Sequence, residues 1–129
     1  MKVGLGLEND QRRAQLIRSI IGYSNTLMMD ANQVWNVDTA LANMDQLQKF
    51  KPLWIEEPTS PDDILGHKVI SESIKKYGIG VATGEHCQNR VMFKQFLQSG
   101  AMQFCQIDAC RVGSINELLA IILLAAKFG

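Results

Sequence analysis

The chain has 129 residues, 47% hydrophobic and 20% charged, which suffices for one globular domain with a core and argues against a disordered polymer. Thirteen basic residues balance thirteen acidic ones, so there is no basic excess of the kind a nucleic-acid or acidic-membrane surface needs. Three cysteines without zinc-ribbon spacing fit a reducing, intracellular compartment better than a secreted disulfide framework.

Met1-Lys2-Val3 reads as the tip of a strand. From Asn9 to Ile21 the residues Ala14, Leu16, Ile17, Ile20 and Ile21 cluster at helical spacing beside Arg12, Arg13 and Arg18, and Gly22 supplies a stop. The apolar run Thr26–Met29 predicts a strand ending at Asp30. Leu41, Met44, Leu47 and Phe50 then repeat every three residues and predict a helix over 38–50. Leu53-Trp54-Ile55, opened by Pro52, is the next strand; Pro58 and Pro61 interrupt the chain before a helix from His67 to Tyr77, closed by Gly78. Ile79–Thr83 is a strand, Asn89–Ser99 a helix stopped by Gly100, and Met102–Ile107 a strand ending at Asp108. Ser114-Ile115-Asn116-Glu117 matches a capping box and starts a last helix reaching Lys127 or Phe128. Its apolar run, Leu118 to Ala126, is too short to span a bilayer and reads as core-facing.

The strict β-then-α rhythm predicts an α/β fold with a parallel sheet, whose crossover helices bury both sheet faces. A closed (β/α) barrel takes about 250 residues. The expectation is therefore a partial TIM-type barrel spanning residues 1–129, with its last strands outside the chain. A flavodoxin-like doubly wound domain with Asp30 as a phosphoryl acceptor also fits the length and the rhythm.

Asp30, Glu56 and Glu85 each follow a predicted strand; they are 26 and 29 positions apart, about one βα unit each. In a parallel barrel, strand ends converge on one face, where three carboxylates can share a hard cation such as Mg²⁺. One strand-end acid alone is as readily a helix cap. Three crowded together repel unless a cation or raised pKa values relieve them. Glu57, next to Glu56, is expected to point the opposite way on its strand and to serve in a salt bridge. His67 and His86 read as surface groups or as supports behind the site. Cys87, Cys105 and Cys110 read as buried small hydrophobes or inert loop thiols, and Trp35 and Trp54 as packing.

In this order, Lys2, Asp30-Ala31-Asn32, Ile55-Glu56-Glu57-Pro58, Thr83-Gly84-Glu85 and Gln106-Ile107-Asp108 resemble the enolase superfamily, in its mandelate racemase-like branch. The longer string from Lys51 to His67 brings the chain nearest to the L-fuconate dehydratases of that branch. The resemblance covers essentially the whole chain and implies the barrel domain of that superfamily, its N-terminal capping domain lying outside these residues. It implies Asp30, Glu56 and Glu85 as Mg²⁺ ligands, and Lys2, as the second lysine of a Lys-x-Lys motif, as the base that removes the proton α to a substrate carboxylate. It implies Asp108 as the group that orients a histidine from the following strand, Asn32 as a substrate contact, and Arg111 and Gly113 in support. The implied reaction is dehydration of a small acid sugar of the L-fuconate kind to a 2-keto-3-deoxy acid, in mitochondria, with a homo-oligomer as a further expectation. The other reading of the same residues is a catalytically silent truncated or splice product with an interaction or regulatory role.

Overall fold

Four side chains decide where extended chain turns into helix. Asn36 accepts from Thr39 N (2.8 Å), Asp63 from Gly66 N (2.8 Å), Asn89 from Val91 N and Met92 N (3.0 and 3.1 Å), and Ser114 from Glu117 N (3.3 Å). Each satisfies amides that a helix start leaves without partners. The computed structural model describes residues 1–129. Its elements are α1 (Leu7–Ile21), β1 (Met29–Asp30), α2 (Val37–Leu47), β2 (Trp54–Glu56), α3 (Ile64–Ile74), β3 (Gly80–Thr83), α4 (Arg90–Ser99), β4 (Phe104–Cys105) and α5 (Ile115–Phe128). Short 3₁₀ turns, Gln48–Phe50 and Lys75–Tyr77, extend α2 and α3 to the ends the sequence predicts.

The strands form one parallel sheet in the order β1-β2-β3-β4, and Lys2 adds a parallel bridge to Asp30 on the outer side of β1. Successive helices pack side by side, α1 on α2, α2 on α3, α3 on α4 and α4 on α5. Strands in chain order under helices in chain order describe barrel winding. They exclude the doubly wound alternative, which reverses strand order and splits its helices between two faces. The expectation that helices bury both sheet faces is corrected in the same way: one helical layer covers one face. Met29, Ile55 and Val81, register partners at 0% exposure, point into that layer. Lys2, Asp30, Glu56, Ala82 and Phe104 share the opposite face.

The larger core, from Val3 through Met29, Met44, Leu47, Phe50, Ile55, Ile70 and Val81, sits under α1 to α3; a smaller one around Phe93, Phe96, Met102 and Ile121 lies under α4 and α5. Arg18 is interior: its Nε and terminal nitrogens donate to the carbonyls of Phe50, Gly22, Asn25 and Lys51 at 2.8–2.9 Å, tying the end of α1 to the turn after α2. The buried face of α1 is therefore Asp10, Ala14 and Arg18, while Leu16 and Ile20 stand exposed.

Several further expectations are corrected. The capping box is half made, because the Glu117 carboxylate accepts from Arg90 N (2.6 Å) and joins α5 to the start of α4. In α5 only Ile121 is buried, while Leu119, Ile122 and Leu123 are exposed. His67 is wholly buried, donating Nδ1 to Asp63 O (2.8 Å) and meeting the Phe96 ring edge-on. Gly113 has no left-handed backbone and no crowding neighbour, so its turn does not require glycine. No helix is long and apolar enough to cross a membrane.

Candidate metal centre

The parallel ladder sets three charged side chains in one row, with Lys2 beside Asp30 and Asp30 beside Glu56. Lys2 donates to Asp30 Oδ2, and that bond is the main cause of its raised pKa, with the Glu56 and Glu85 charges adding to it. Asp30 Oδ1 accepts from Asn32 N at 2.8 Å, closing a tight turn in which Asn32 and Gln33 adopt left-handed backbone (φ 46° and 67°).

Glu85 reaches the same rim from the turn after β3. Gly84 has φ 131°, and a side chain there would run into Gln106 O and the Phe93 ring, so only glycine lets the chain turn. Cys87 N returns to Gly84 O (3.0 Å) and closes the turn that presents Glu85 and His86.

Burial raises the Glu56 carboxyl above its ordinary 4.5, and the negative charges of Asp30 and Glu85 add to the rise, while a hydrogen bond from Gln106 and the Lys2 charge oppose it. Glu57 follows the end of β2 with φ 41°, so the strand's alternation does not set its direction. At 0% exposure it accepts from Gln33 Nε2 (3.1 Å to each oxygen) and from His86 Nδ1 (2.5 Å). His86 Nδ1 is also 3.7 Å from Glu85 Oε1.

Lys2, Asp30, Glu56 and Glu85 thus form one electrostatic group. Asn32 lies beside it, exposed. Asp108 stands apart after β4, its carboxylate accepting from Cys110 N (2.8 Å) and lying 4.0 Å from Arg111 Nε; no hydrogen bond or ion pair joins it to the four. Sequence reasoning missed Gln33 and Gln106. Gln33 carries no periodic or motif signal, whereas Gln106, two residues beyond Phe104, shares the face of Glu56 by strand alternation.

The donor set has the chemistry of a hard divalent cation: three carboxylates from neighbouring strand ends, one of them raised by burial and further by the charges of the other two. As they stand, the ligating atoms that lie within 4.8 Å of one another are those of Glu57, Glu85 and His86, because Glu85 leans toward His86. The three expected ligands, Asp30, Glu56 and Glu85, are not gathered within that distance, and the Glu85 side chain is 45% exposed.

The family model described as Enolase C-terminal domain-like matches residues 1–129. The chain belongs to that family. Human mitochondrial enolase superfamily member 1 is 62% identical over 128 residues, covering 99% of this chain and 29% of that protein. L-galactonate dehydratase of Hypocrea jecorina is 59% identical over 131 residues, covering 100% and 29%. The crystal structure of the human relative superposes with a TM-score of 0.95 at 61% identity, covering 98% of this chain and 29% of that one. L-talarate dehydratase from Polaromonas sp. JS666, solved with Mg and L-glucarate, superposes with a TM-score of 0.90 at 31% identity, covering 99% and 35%. The chain therefore spans about three-tenths of the length of these relatives, within an enolase-superfamily C-terminal barrel domain.

Proposed function

We propose that this family member carries the metal-binding and proton-abstracting rim of a Mg²⁺-dependent acid-sugar dehydratase, with Asp30, Glu56 and Glu85 as the metal ligands. The observation that carries this reading is the row Lys2, Asp30, Glu56 on one sheet face with Glu85 turned onto the same rim. Bound there, Mg²⁺ would supply a Lewis acid for the substrate carboxylate, lowering the energy of the enediolate that proton abstraction creates.

The chain's own part follows from its charges. Lys2 is held as an ammonium by Asp30 and becomes a base only when the Asp30 charge is engaged elsewhere. Its Nζ then takes the proton α to the substrate carboxylate, and the electron pair moves into the carboxylate as the enediolate. Collapse of the enediolate expels the β-hydroxyl as water once an acid protonates it, and tautomerisation gives the 2-keto-3-deoxy acid. Asn32, exposed beside Asp30, would meet a substrate hydroxyl. L-fuconate is the substrate proposed first, with L-galactonate next because a similar protein bears that name. Residence in mitochondria is proposed on the name of the human relative.

A catalytically silent interaction role is the second reading, favoured by Asp108, whose carboxylate is engaged with Cys110 N and lies near Arg111. The test incubates the protein with Mg²⁺ and L-fuconate or L-galactonate in deuterium oxide. Deuterium at the α carbon and accumulation of the 2-keto-3-deoxy acid support the dehydratase. Neither signal, from folded protein that binds Mg²⁺, supports the silent role.

A further inference from the structure

Away from the strand-end acids, a cleft of about 410 Å³ opens between the turn after α1 and the 3₁₀ turn after α2. Leu27 and Leu53 border it, joined by Leu53 N donating to Leu27 O at 2.7 Å. These residues lead into β1 and β2, whose far ends carry Asp30 and Glu56, so the cleft and the acidic rim lie at opposite ends of the same strands.

Three cations border the cleft, Arg18, Lys49 and Lys51, and no acidic residue does. Arg18 is 3% exposed, and a charge taken that far from water is ordinarily paired with an opposite one. Here its partners are neutral. Four of its five N–H groups donate to the carbonyls of Phe50, Gly22, Asn25 and Lys51, and the second N–H of Nη2 is left without an acceptor. Neither lysine forms an ion pair. Lys49 Nζ stands 5.2 Å from the centre of the Phe50 ring and Lys51 Nζ 5.9 Å from that of Tyr23, which also lies 4.8 Å from Arg18 Cζ. An aromatic face attracts a cation without cancelling its charge, so all three positive charges remain available to a visitor.

Like charges that converge without a counterion raise the potential between them, and an entering anion relieves it. A phosphate group matches the demand, since it brings nearly two negative charges and several acceptor oxygens at neutral pH, where a carboxylate brings one charge. Ser24, Asn25 and Thr26 add polar side chains on the same border. The volume exceeds that of a bare phosphate and falls in the range of about 300–1,000 Å³ usual for small-molecule sites. We propose that this cleft binds a small phosphate monoester, its phosphate held by Lys49, Lys51 and the uncommitted N–H of Arg18. The site is independent of the metal reading, which rests on the opposite end of the strands.

The test is calorimetric titration of the 129-residue chain in EDTA with glycerol 3-phosphate, inorganic phosphate and acetate at matched ionic strength, beside amide and Arg Nε nuclear magnetic resonance spectra. The parent is compared with the double variant Lys49→Gln/Lys51→Asn, in which asparagine accepts the left-handed backbone of position 51 (φ 48°). The control, Lys68→Gln/Lys127→Gln, removes the same charge elsewhere. One glycerol 3-phosphate per chain is expected, bound more tightly than inorganic phosphate and not displaced by acetate, with shifts at Ser24, Asn25, Lys51 and Arg18 Nε. The double variant is expected to weaken it about 10-fold or more, and the control to leave it unchanged. Equal affinity for inorganic phosphate and the ester overturns the ester as occupant, and displacement by acetate overturns phosphate as the recognised group. No saturable binding by the folded parent, equal weakening in the control, or shifts confined to Lys2 and Asn32 overturns the site. If the double variant does not fold, the parent's shifts decide.

Discussion

Asp30 and Glu56 occupy the same rung of the parallel ladder between β1 and β2, so two carboxylates stand side by side on one sheet face. The Glu56 carboxyl is raised by burial and by the charges of Asp30 and Glu85, which means that it holds its proton more tightly folded than unfolded. Stability therefore falls as pH climbs from about 4.5 through the raised folded value, because the unfolded chain releases that proton first. In EDTA at pH 7, Glu56→Gln removes the penalty and is expected to stabilise the chain by about 1 kcal/mol or less, since solvent screens a partly exposed group. Urea unfolding of the two proteins checks it; a less stable Glu56→Gln chain would count against the crowding.

Gly84→Ala forces a side chain into the Gln106 carbonyl and the Phe93 ring at a backbone angle that alanine adopts poorly. The expected loss is at least about 1–3 kcal/mol from backbone strain alone. Because this turn delivers Glu85, Mg²⁺ affinity should fall with it. Unfolding curves and metal titration on the same preparation read both effects.

His67 is buried in the helical layer, and burial pulls its pKa below 6.5, with its bond to Asp63 O only partly opposing. The unfolded chain binds this proton at a higher pH than the folded one. The His67 contribution is thus fully present above 6.5 and is lost as pH falls from 6.5 toward the lowered folded value. His67→Gln is expected to flatten the acid limb of the stability profile between pH 7 and pH 5, measured by urea unfolding at each pH. An unchanged slope would remove His67 as its source.

The strand-end acids were legible because each sits one βα unit from the next, and that spacing alone sends Asp30, Glu56 and Glu85 to one rim. The burial of His67 was missed although a signal existed: with Ile70, Ser71 and Ile74 it forms one helical stripe, and all four are buried. The meeting of Gln33, Glu57 and His86 was not legible. Gln33 and Glu57 lie 24 positions apart and Gln33 and His86 lie 53 apart, and only the strand order brings them together. The single-sided helical layer was hidden for a related reason, since apolar strand runs look the same in a barrel and in a doubly wound sheet.

Burial pushes the Cys87 thiol up to about 12 and the Cys105 thiol up to about 11, while Cys110 is exposed in the loop after Asp108. At pH 8 a thiol-specific disulfide reagent should therefore label one thiol rapidly in the folded chain and all three in denaturant. Cys110→Ser should abolish the rapid phase.

Shared coordination of one divalent ion by Asp30, Glu56 and Glu85 is tested most directly by calorimetric Mg²⁺ titration of Asp30→Asn, Glu56→Gln, Glu85→Gln and Asp108→Asn beside the parent. One ion per parent chain is expected, with each of the first three substitutions weakening binding by more than the roughly 10- to 100-fold typical of losing a group that only supports a ligand. Asp108→Asn should leave it unchanged. Folded variants at positions 30, 56 and 85 that bind Mg²⁺ as the parent does would contradict the account.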